Sequence, residues 1–218
     1  VALLAFMVLF VSKLDESQAT IEKRKFSEDF KEMLLLIVKP LTLIFIISIF
    51  LYVLIEQSFQ TWFPTFYTDI INAPASMAVQ AGAVLGGAFM IGRFLGGFIL
   101  NRIKWIYLLT FCLIAAGILI LLVLPLAENS TIEGVITWTN APLVVYLMPI
   151  ICLFLAPVYP TINSTILSSL PKHMHSSMAG LIVVFSALGG TTGSIITGNV
   201  FQKYNGATAF YLSLIPLT

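Results

Sequence analysis

Long apolar stretches separated by short polar segments dominate this sequence. Each stretch is about as long as the roughly 20 apolar residues that an α-helix needs to cross a bilayer. Runs such as 34–38 (LLLIV) and 118–124 (ILILLVL) lack the alternation of polar and apolar residues that a membrane β-barrel strand would have. Backbone groups in lipid must bond within their own segment, which favours helices. Whole transmembrane helices are predicted at 38–62, 77–100, 105–127, 142–168 and 178–201.

Both ends of the sequence lie inside further apolar runs. Residues 1–11 form one run, without the charged segment or small-residue cleavage site of a secretory signal, and another begins near Ala207. We interpret these runs as the end of a preceding helix and the beginning of a following one. The expected fold class is an all-α membrane protein truncated at both ends, with residues 38–218 forming a transmembrane bundle.

The composition supports a membrane protein and excludes several function classes. Hydrophobic residues make up 59% of the 218 residues and charged residues 10%, against about 25% charged in a soluble domain. A net charge of +1 argues against a nucleic-acid partner. Cys112 and Cys152 lie in apolar runs and are interpreted as small core residues. Hydrolase and nucleotide-binding motifs are absent from the sequence, so we expect neither an enzyme nor a cofactor or metal.

Basic residues between the spans predict the orientation of the bundle. Lys203 falls on one side, Arg93 lies within a span near its basic end, and the other basic residues share the opposite side. Cytoplasmic loops carry an excess of Lys and Arg, so that opposite side is predicted to be cytoplasmic. Its basic residues are Lys13, Lys23, Arg24, Lys25, Lys31, Lys39, Arg102, Lys104 and Lys172.

Residues 12–37 form the long polar segment before the first whole span. Ser27 can cap a helix there, and apolar residues from Phe26 to Ile37 recur at three-to-four spacing. This pattern predicts an amphipathic helix on the cytoplasmic membrane surface, with a solvated linker as the alternative.

Residues 92–104 (GRFLGGFILNRIK) combine closely spaced glycines with a short basic turn. Small residues allow two helices to approach closely, so we expect Gly96 and Gly97 to lie at such a contact. The same reasoning predicts packing within the bundle for the GxxxG patterns at 82–86 and 189–193. The candidate gating and structural motif comprises Gly92, Arg93, Gly97, Asn101 and Arg102.

This motif resembles a signature of the major facilitator superfamily. The family's G-x-x-x-D-R-x-G-R-K sequence joins its second and third helices, and a weaker copy joins the eighth and ninth. Gly97, Asn101, Arg102 and Lys104 match the weaker copy, although Asn101 replaces the Asp and the closing Gly is absent. The alternative is a tight basic turn without a gating role.

The resemblance extends over nearly the whole chain and implies its organisation. Residues 1–11 would end helix six, 12–37 would be the cytoplasmic central loop, and 38–218 would be helices seven to twelve, the last incomplete. Residues 56–64 (EQSFQTWFP) and 156–163 (APVYPTIN), followed by Gly189, Gly190 and Gly198, look like the fucose–proton symporter family. A half-carrier of this kind implies an N-terminal half as partner and a location in the cell membrane, as in a bacterial inner membrane.

Glu56 is the acidic residue that lies well inside a predicted span. It follows Lys39 by 17 residues, about 25 Å at 1.5 Å per residue. A carboxylate at that depth costs roughly 2.5–3.5 kcal/mol, so it should face a cavity, and burial makes a carboxyl group easier to protonate. Tyr52, Glu56 and Gln60 share one helix face, flanked by Gln57. The alternatives are a solute or proton site and a side chain that reaches water at the outer interface.

The fourth predicted span contains Pro142, Pro149, Pro157 and Pro160. Prolines kink a spanning helix and free carbonyl groups. Tyr159 and Asn163 share a face there, and either line a cavity or form a bond between helices. Together with Glu56, Tyr52, Gln57 and Gln60 they are the candidate substrate and proton site.

The function expected from these residues and the resemblance is secondary active transport. The carrier would move a small polar solute of the sugar class by alternating access, with protons as the coupling ion. The alternatives are an exporter of amphipathic compounds and a membrane sensor that binds but does not transport. The expected partners are therefore the solute, protons, membrane lipid and the N-terminal half.

Overall fold

A computed structural model of the chain describes residues 26–128, 136–204 and 206–217, without the side chains of residues 26–29, 32 and 128. The predicted helix end at 1–11 and loop residues 12–25 lie outside the described residues. Within them, the elements are the helices α1 (Phe26–Ile37), α2 (Pro40–Asp69), α3 (Ala75–Leu100), α4 (Trp105–Glu128), α5 (Leu143–Leu155), α6 (Val158–Ser169), α7 (His175–Lys203) and α8 (Gly206–Tyr211), with 3₁₀ turns at Lys172–Met174 and Leu212–Leu214. Five segments are long and apolar enough to cross a membrane, namely α2, α3, α4, α5 together with α6, and α7.

The all-α membrane fold and the predicted spans are confirmed, with two differences at the boundaries. The fourth span is divided into α5 and α6 at Ala156 and Pro157, where the sequence predicts a kink. The first span continues past Trp62 and through Pro64 to Asp69. Aromatic packing explains the continuation: the Phe59 and Phe66 rings lie 4.7 and 5.2 Å from that of Phe210 on α8. Burial of these large rings outweighs the loss of one backbone bond at a proline.

The outer face of α4 explains why this bundle needs a lipid environment. Phe111, Ile118 and Leu122 are 62%, 52% and 58% exposed, at spacings that align them along one side of the helix. Soluble proteins rarely expose so large a contiguous apolar surface. Hydrocarbon can cover it without free-energy cost, so α4 is interpreted as a lipid-facing span.

The predicted basic side is one end of the bundle. The Nζ atom of Lys39 lies 3.8 Å from Sδ of Met174. Lys104 and Ser169 line one polar cavity, so the turn after α3 lies beside the end of α6. Arg102 and Lys172 therefore lie at the same end, as the topology requires. That this end is cytoplasmic stays a prediction.

Helix α1 confirms the predicted helix in the polar segment. Leu36 is buried and Met33 is half-buried against the bundle, whereas Phe30 and Leu34 are about half exposed. One side of α1 thus packs on the transmembrane helices and the other does not. Its position on a membrane surface stays a prediction.

Glycines hold α2 and α7 close together. A Cβ at Gly189 would overlap the backbone of Phe50, and one at Gly193 would overlap that of Leu54. The predicted packing of the 189–193 pattern is confirmed. The 82–86 prediction is wrong for the part of the chain that the structure describes, since no atom there lies within 4 Å of a Cβ at Gly82 or Gly86. Those two glycines border an open groove instead.

Helix α3 packs on the break between α5 and α6 through a different glycine pair from the one predicted. A Cβ at Gly92 would overlap the Leu153 carbonyl oxygen, and one at Gly96 would lie 2.5 Å from Cβ of Pro157. Pro157 lacks the N–H that would bond to Leu153, so Gly92 approaches a carbonyl that the helix leaves free. The prediction for Gly97 is wrong because described atoms leave open space around it, while that for Gly96 is confirmed.

Gly92→Leu is expected to destabilise the protein by about 1–3 kcal/mol or more, because a side chain cannot fit against the Leu153 backbone. The matched control is Gly97→Leu, which adds the same side chain to the same helix where described atoms leave room. Thermal unfolding of the detergent-solubilised full-length protein measures both. Equal losses of stability for the two variants would contradict the packing described here.

Tyr67 covers a second carbonyl that a proline leaves free. Pro149 has no N–H for the Val145 carbonyl one turn earlier. The Tyr67 hydroxyl donates to that oxygen at 2.5 Å, and both residues are buried. A side chain of α2 therefore replaces a missing bond in the backbone of α5.

Tyr67→Phe is expected to lower the free energy of unfolding by about 1–3 kcal/mol, since it leaves a buried acceptor without a partner. Pro149→Ala restores a backbone N–H that can donate to the Val145 carbonyl. In the Pro149→Ala background, Tyr67→Phe should therefore lower the free energy of unfolding by less than half as much. Tyr107→Phe, at a hydroxyl-bearing ring that is 65% exposed, is the control. An equal effect of Tyr67→Phe in both backgrounds would show that the hydroxyl does not serve this carbonyl.

Candidate functional site

The centre of the candidate site is an ion pair between two spanning helices. Nη2 of Arg93 on α3 lies 2.6 Å from Oε1 of Glu56 on α2, and Nε2 of Gln60 donates to the same oxygen at 3.1 Å. Glu56 is buried. A buried carboxylate requires a partner of opposite charge and further hydrogen bonds, and Glu56 has both.

The geometry of the helices explains why these two residues meet. The Cα–Cβ bonds of a helix tilt toward its N-terminus, and α2 and α3 run in opposite directions. Arg93 therefore reaches away from the basic end of the bundle, and Glu56 reaches toward it. The guanidinium of Arg93 binds Glu56, and the gating role predicted for Arg93 stays a prediction.

The two partners differ in their access to the outside of the bundle. The Arg93 side chain is 48% exposed and that of Glu56 is 8% exposed. The guanidinium carbon lies 5.6 Å from the centre of the Phe89 ring, a cation–π arrangement. Arg93 thus stands between the buried acid and a groove of about 540 Å³. The groove is lined by Gln60, Gly82, Leu85, Gly86, Phe89, Met90 and Arg93.

A second groove, of about 420 Å³, lies between α2 and α7. Gln57 contributes its amide to this groove and donates to the Thr61 hydroxyl at 2.9 Å. Gln57 and Gln60 are three residues apart on α2, so one amide borders each groove. Ser186, Thr191 and Ser194 contribute hydroxyl-bearing side chains to this groove. The full lining is Val53, Gln57, Ser186, Ala187, Gly190, Thr191, Ser194 and Ile195.

The predicted tyrosines lie together behind the second groove. The Tyr52 and Tyr159 rings are 6.3 Å apart and nearly parallel. The Tyr52 hydroxyl donates to the Leu155 carbonyl at 2.8 Å, at the break before α6. The Tyr159 hydroxyl is 3.1 Å from Oγ of Ser186, which lines the groove. Tyr52 is thus engaged with the backbone, and Tyr159 contacts the groove through Ser186.

Asn163 stands apart from the other predicted residues. Its Oδ1 atom is buried and has no hydrogen-bond partner among the described residues. Neither groove has Asn163 in its described lining. The structure therefore brings Tyr52, Glu56 and Gln60 together with Arg93, and leaves Asn163 as a buried acceptor in need of a donor.

The turn at Asn101 has a structural role in the backbone. Asn101 caps α3 with its N–H, and Arg102 donates from its backbone to Ile99 at 2.8 Å. Both side chains are exposed at the basic end. These bonds account for a tight basic turn, and a gating role for Asn101 and Arg102 stays a prediction.

Sequence reasoning missed the partnership of Glu56 with Arg93, although a signal was present. Both are charged residues within predicted spans, and they have opposite signs. Ionisable residues inside spans usually pair with one another. That rule links them even though 37 positions separate them in the sequence.

The fold and the site together define an integral, multi-pass membrane protein in which a charged pair is held between the spanning helices. The family model of the Major Facilitator Superfamily matches residues 1–194, and the chain belongs to this superfamily of membrane transporters. Comparison with curated proteins and with solved structures found no match.

Proposed function

We propose that this chain is the C-terminal half of a carrier that moves a small polar solute of the sugar class, driven by protons. The observation that carries the proposal is the Glu56–Arg93 pair, which links a buried acid to an open groove. An amide-bearing residue on each side of α2, and hydroxyl-bearing residues on the α7 side, suit the hydroxyls of a sugar. The likeness to the fucose–proton symporters at residues 56–64 and 156–163 supports the same substrate class.

Glu56 is the proposed proton carrier. It can ionise while the guanidinium holds it, and it becomes a neutral acid when that contact opens. The charged or titratable groups beside it are Tyr52 on its own helix and Arg93 on α3. Arg93 is the charged one among them, so movement of α2 against α3 would control the proton.

In the proposed carrier two halves rock about a shared site near the membrane midplane. The grooves beside α2 would form one wall, and an N-terminal half in the same cell membrane, as in a bacterial inner membrane, would form the other. An exporter of amphipathic compounds is the alternative, because Leu85, Phe89 and Met90 share the first groove with Gln60 and Arg93. The amide and hydroxyl groups of the second groove favour the polar solute.

The test is uptake of labelled sugars by the full-length carrier in sealed proteoliposomes under an inward proton gradient. Accumulation that a protonophore abolishes is the expected result. Binding without uptake would identify a sensor, and gradient-driven efflux of apolar compounds would identify an exporter. Residues 1–218 alone should not transport, since they would supply half of the site, and uptake by them would refute the half-carrier proposal.

A further inference from the structure

The bond to Glu56 leaves most of the Arg93 guanidinium available. A guanidinium has five N–H donors in a planar fork that matches a carboxylate, and the described ion pair uses Nη2. Nearly half of the side chain is exposed, on the side of the groove between α2 and α3. Arg93 can therefore hold a second anionic group while Glu56 remains beside it.

The net charge of the site determines the protonation state in which it can bind a second anionic group. With Arg93 positive and Glu56 ionised, the pair is neutral. A bound carboxylate would leave one uncompensated negative charge between spanning helices, which is costly in a low dielectric. If Glu56 takes up one proton as the carboxylate binds, the pair and the solute together are neutral again.

We propose that the carried solute is a hydroxylated monocarboxylate, such as a sugar acid, whose carboxylate binds Arg93 while Glu56 carries one proton. This inference rests on the proposed transport function and narrows its substrate class. The proton comes from water on the side where the solute enters, and it returns to water where the solute leaves. Each cycle thus moves one anion and one proton, with no net charge.

The two grooves supply the rest of the recognition. The Cβ atoms of residues three apart on a helix are about 5–6 Å apart, comparable with the length of a sugar ring. A solute that lies across the surface of α2, from Gln60 to Gln57, would place its carboxylate at Arg93. Its hydroxyl groups would then lie at Ser186, Thr191 and Ser194. Hydroxyl and amide groups there can donate to and accept from sugar hydroxyls.

The electrical behaviour of transport separates this proposal from proton symport of a neutral sugar. A neutral solute carried with one proton moves one positive charge, so an inside-negative potential accelerates its uptake. A monoanion carried with one proton moves none, so its uptake responds to the pH gradient alone.

The experiment uses the full-length carrier in proteoliposomes with matched probes: glucuronate against glucose, and galacturonate against galactose. A potassium gradient with valinomycin sets the potential independently of the pH gradient. The expected result is uptake of a uronate that follows the pH gradient and is unchanged by the potential. Uptake of the hexoses in preference to the uronates, or uronate uptake accelerated by an inside-negative potential, would overturn the inference and leave the proposed carrier standing. Absence of gradient-driven uptake of all four probes would overturn both.

Two variants test the role of Arg93 directly. Glu56→Gln should tighten uronate binding by about tenfold or more, since it removes the competing carboxylate. The double variant Arg93→Gln with Glu56→Gln has no unpaired buried charge, so it should fold but lose uronate binding. Lys203→Gln, which removes an exposed positive charge at the far end of α7, should bind as the wild type does. Wild-type uronate affinity in the double variant would disprove a carboxylate contact at Arg93.

Discussion

Full-length carrier bearing Glu56→Gln is expected to exchange solute across the membrane but to accumulate none against a gradient. Glutamine keeps the shape of the side chain and still accepts the bonds from Arg93 and Gln60. It cannot release or take up a proton, so the outward and inward states are no longer tied to the proton gradient. The whole of the gradient-driven accumulation should be lost, whereas binding should persist.

The measurement compares binding, counterflow and gradient-driven uptake in wild type and Glu56→Gln. Gln60→Glu is a useful contrast, because it adds an acid one turn away on the exposed edge of the groove. If Glu56 instead binds a donor on the solute, the variant should lose about 1.5–3 kcal/mol of binding free energy. Unaltered accumulation would exclude Glu56 as the coupling group, and the coupling group would then be expected in the N-terminal half.

Arg93→Gln is expected to destabilise the protein by up to about 3–5 kcal/mol at neutral pH, because Glu56 loses its partner and must either stay buried as an unpaired anion or take up a proton. Glu56→Gln should have a smaller effect, since the half-exposed Arg93 side chain can reach water in the groove. The double variant should recover most of the stability that Arg93→Gln loses. Thermal unfolding of the four proteins in the same detergent gives the coupling between the two positions.

Additive effects of the two substitutions would contradict this prediction, because they would mean that the 2.6 Å contact does not link the residues energetically. Arg102→Gln serves as the control, since it removes an exposed charge at the basic end of the bundle. Its effect should be within about 0.5 kcal/mol of zero, as for most surface substitutions.

The spans could be predicted from the sequence because apolar length is a local property. Helices α3 and α4 begin and end within two residues of the predicted positions. The end of α2 could not be predicted, because Pro64 resembles a stop signal. Whether a helix continues through a proline depends on what its next turn packs against, here Phe210 far along the chain.

The candidate site could be predicted only in part, because some of its features are local to one helix and others depend on two. Glu56 was recognisable as an acid inside a span, and Gln60 as its neighbour on the same face. The register between α2 and α3, which sets Arg93 opposite Glu56, depends on both helices. Gly92 rather than Gly97 faces a neighbour because the break at Pro157 lies on that side of α3. The residues around Gly97 do not indicate which side of α3 faces the break between α5 and α6.

The two carbonyls that Pro149 and Pro157 leave free have a consequence for how the protein is made. Their covering groups, the Tyr67 hydroxyl on α2 and Gly92 on α3, both precede α5 in the chain. Proteins are synthesised from the N-terminus, so both covering helices leave the ribosome before the interrupted one follows. The interrupted helix therefore enters lipid beside surfaces already shaped for it. A rearranged gene that encoded α5 and α6 ahead of α2 would present two bare carbonyl groups to hydrocarbon, and its product should fail at insertion although every final contact could still form.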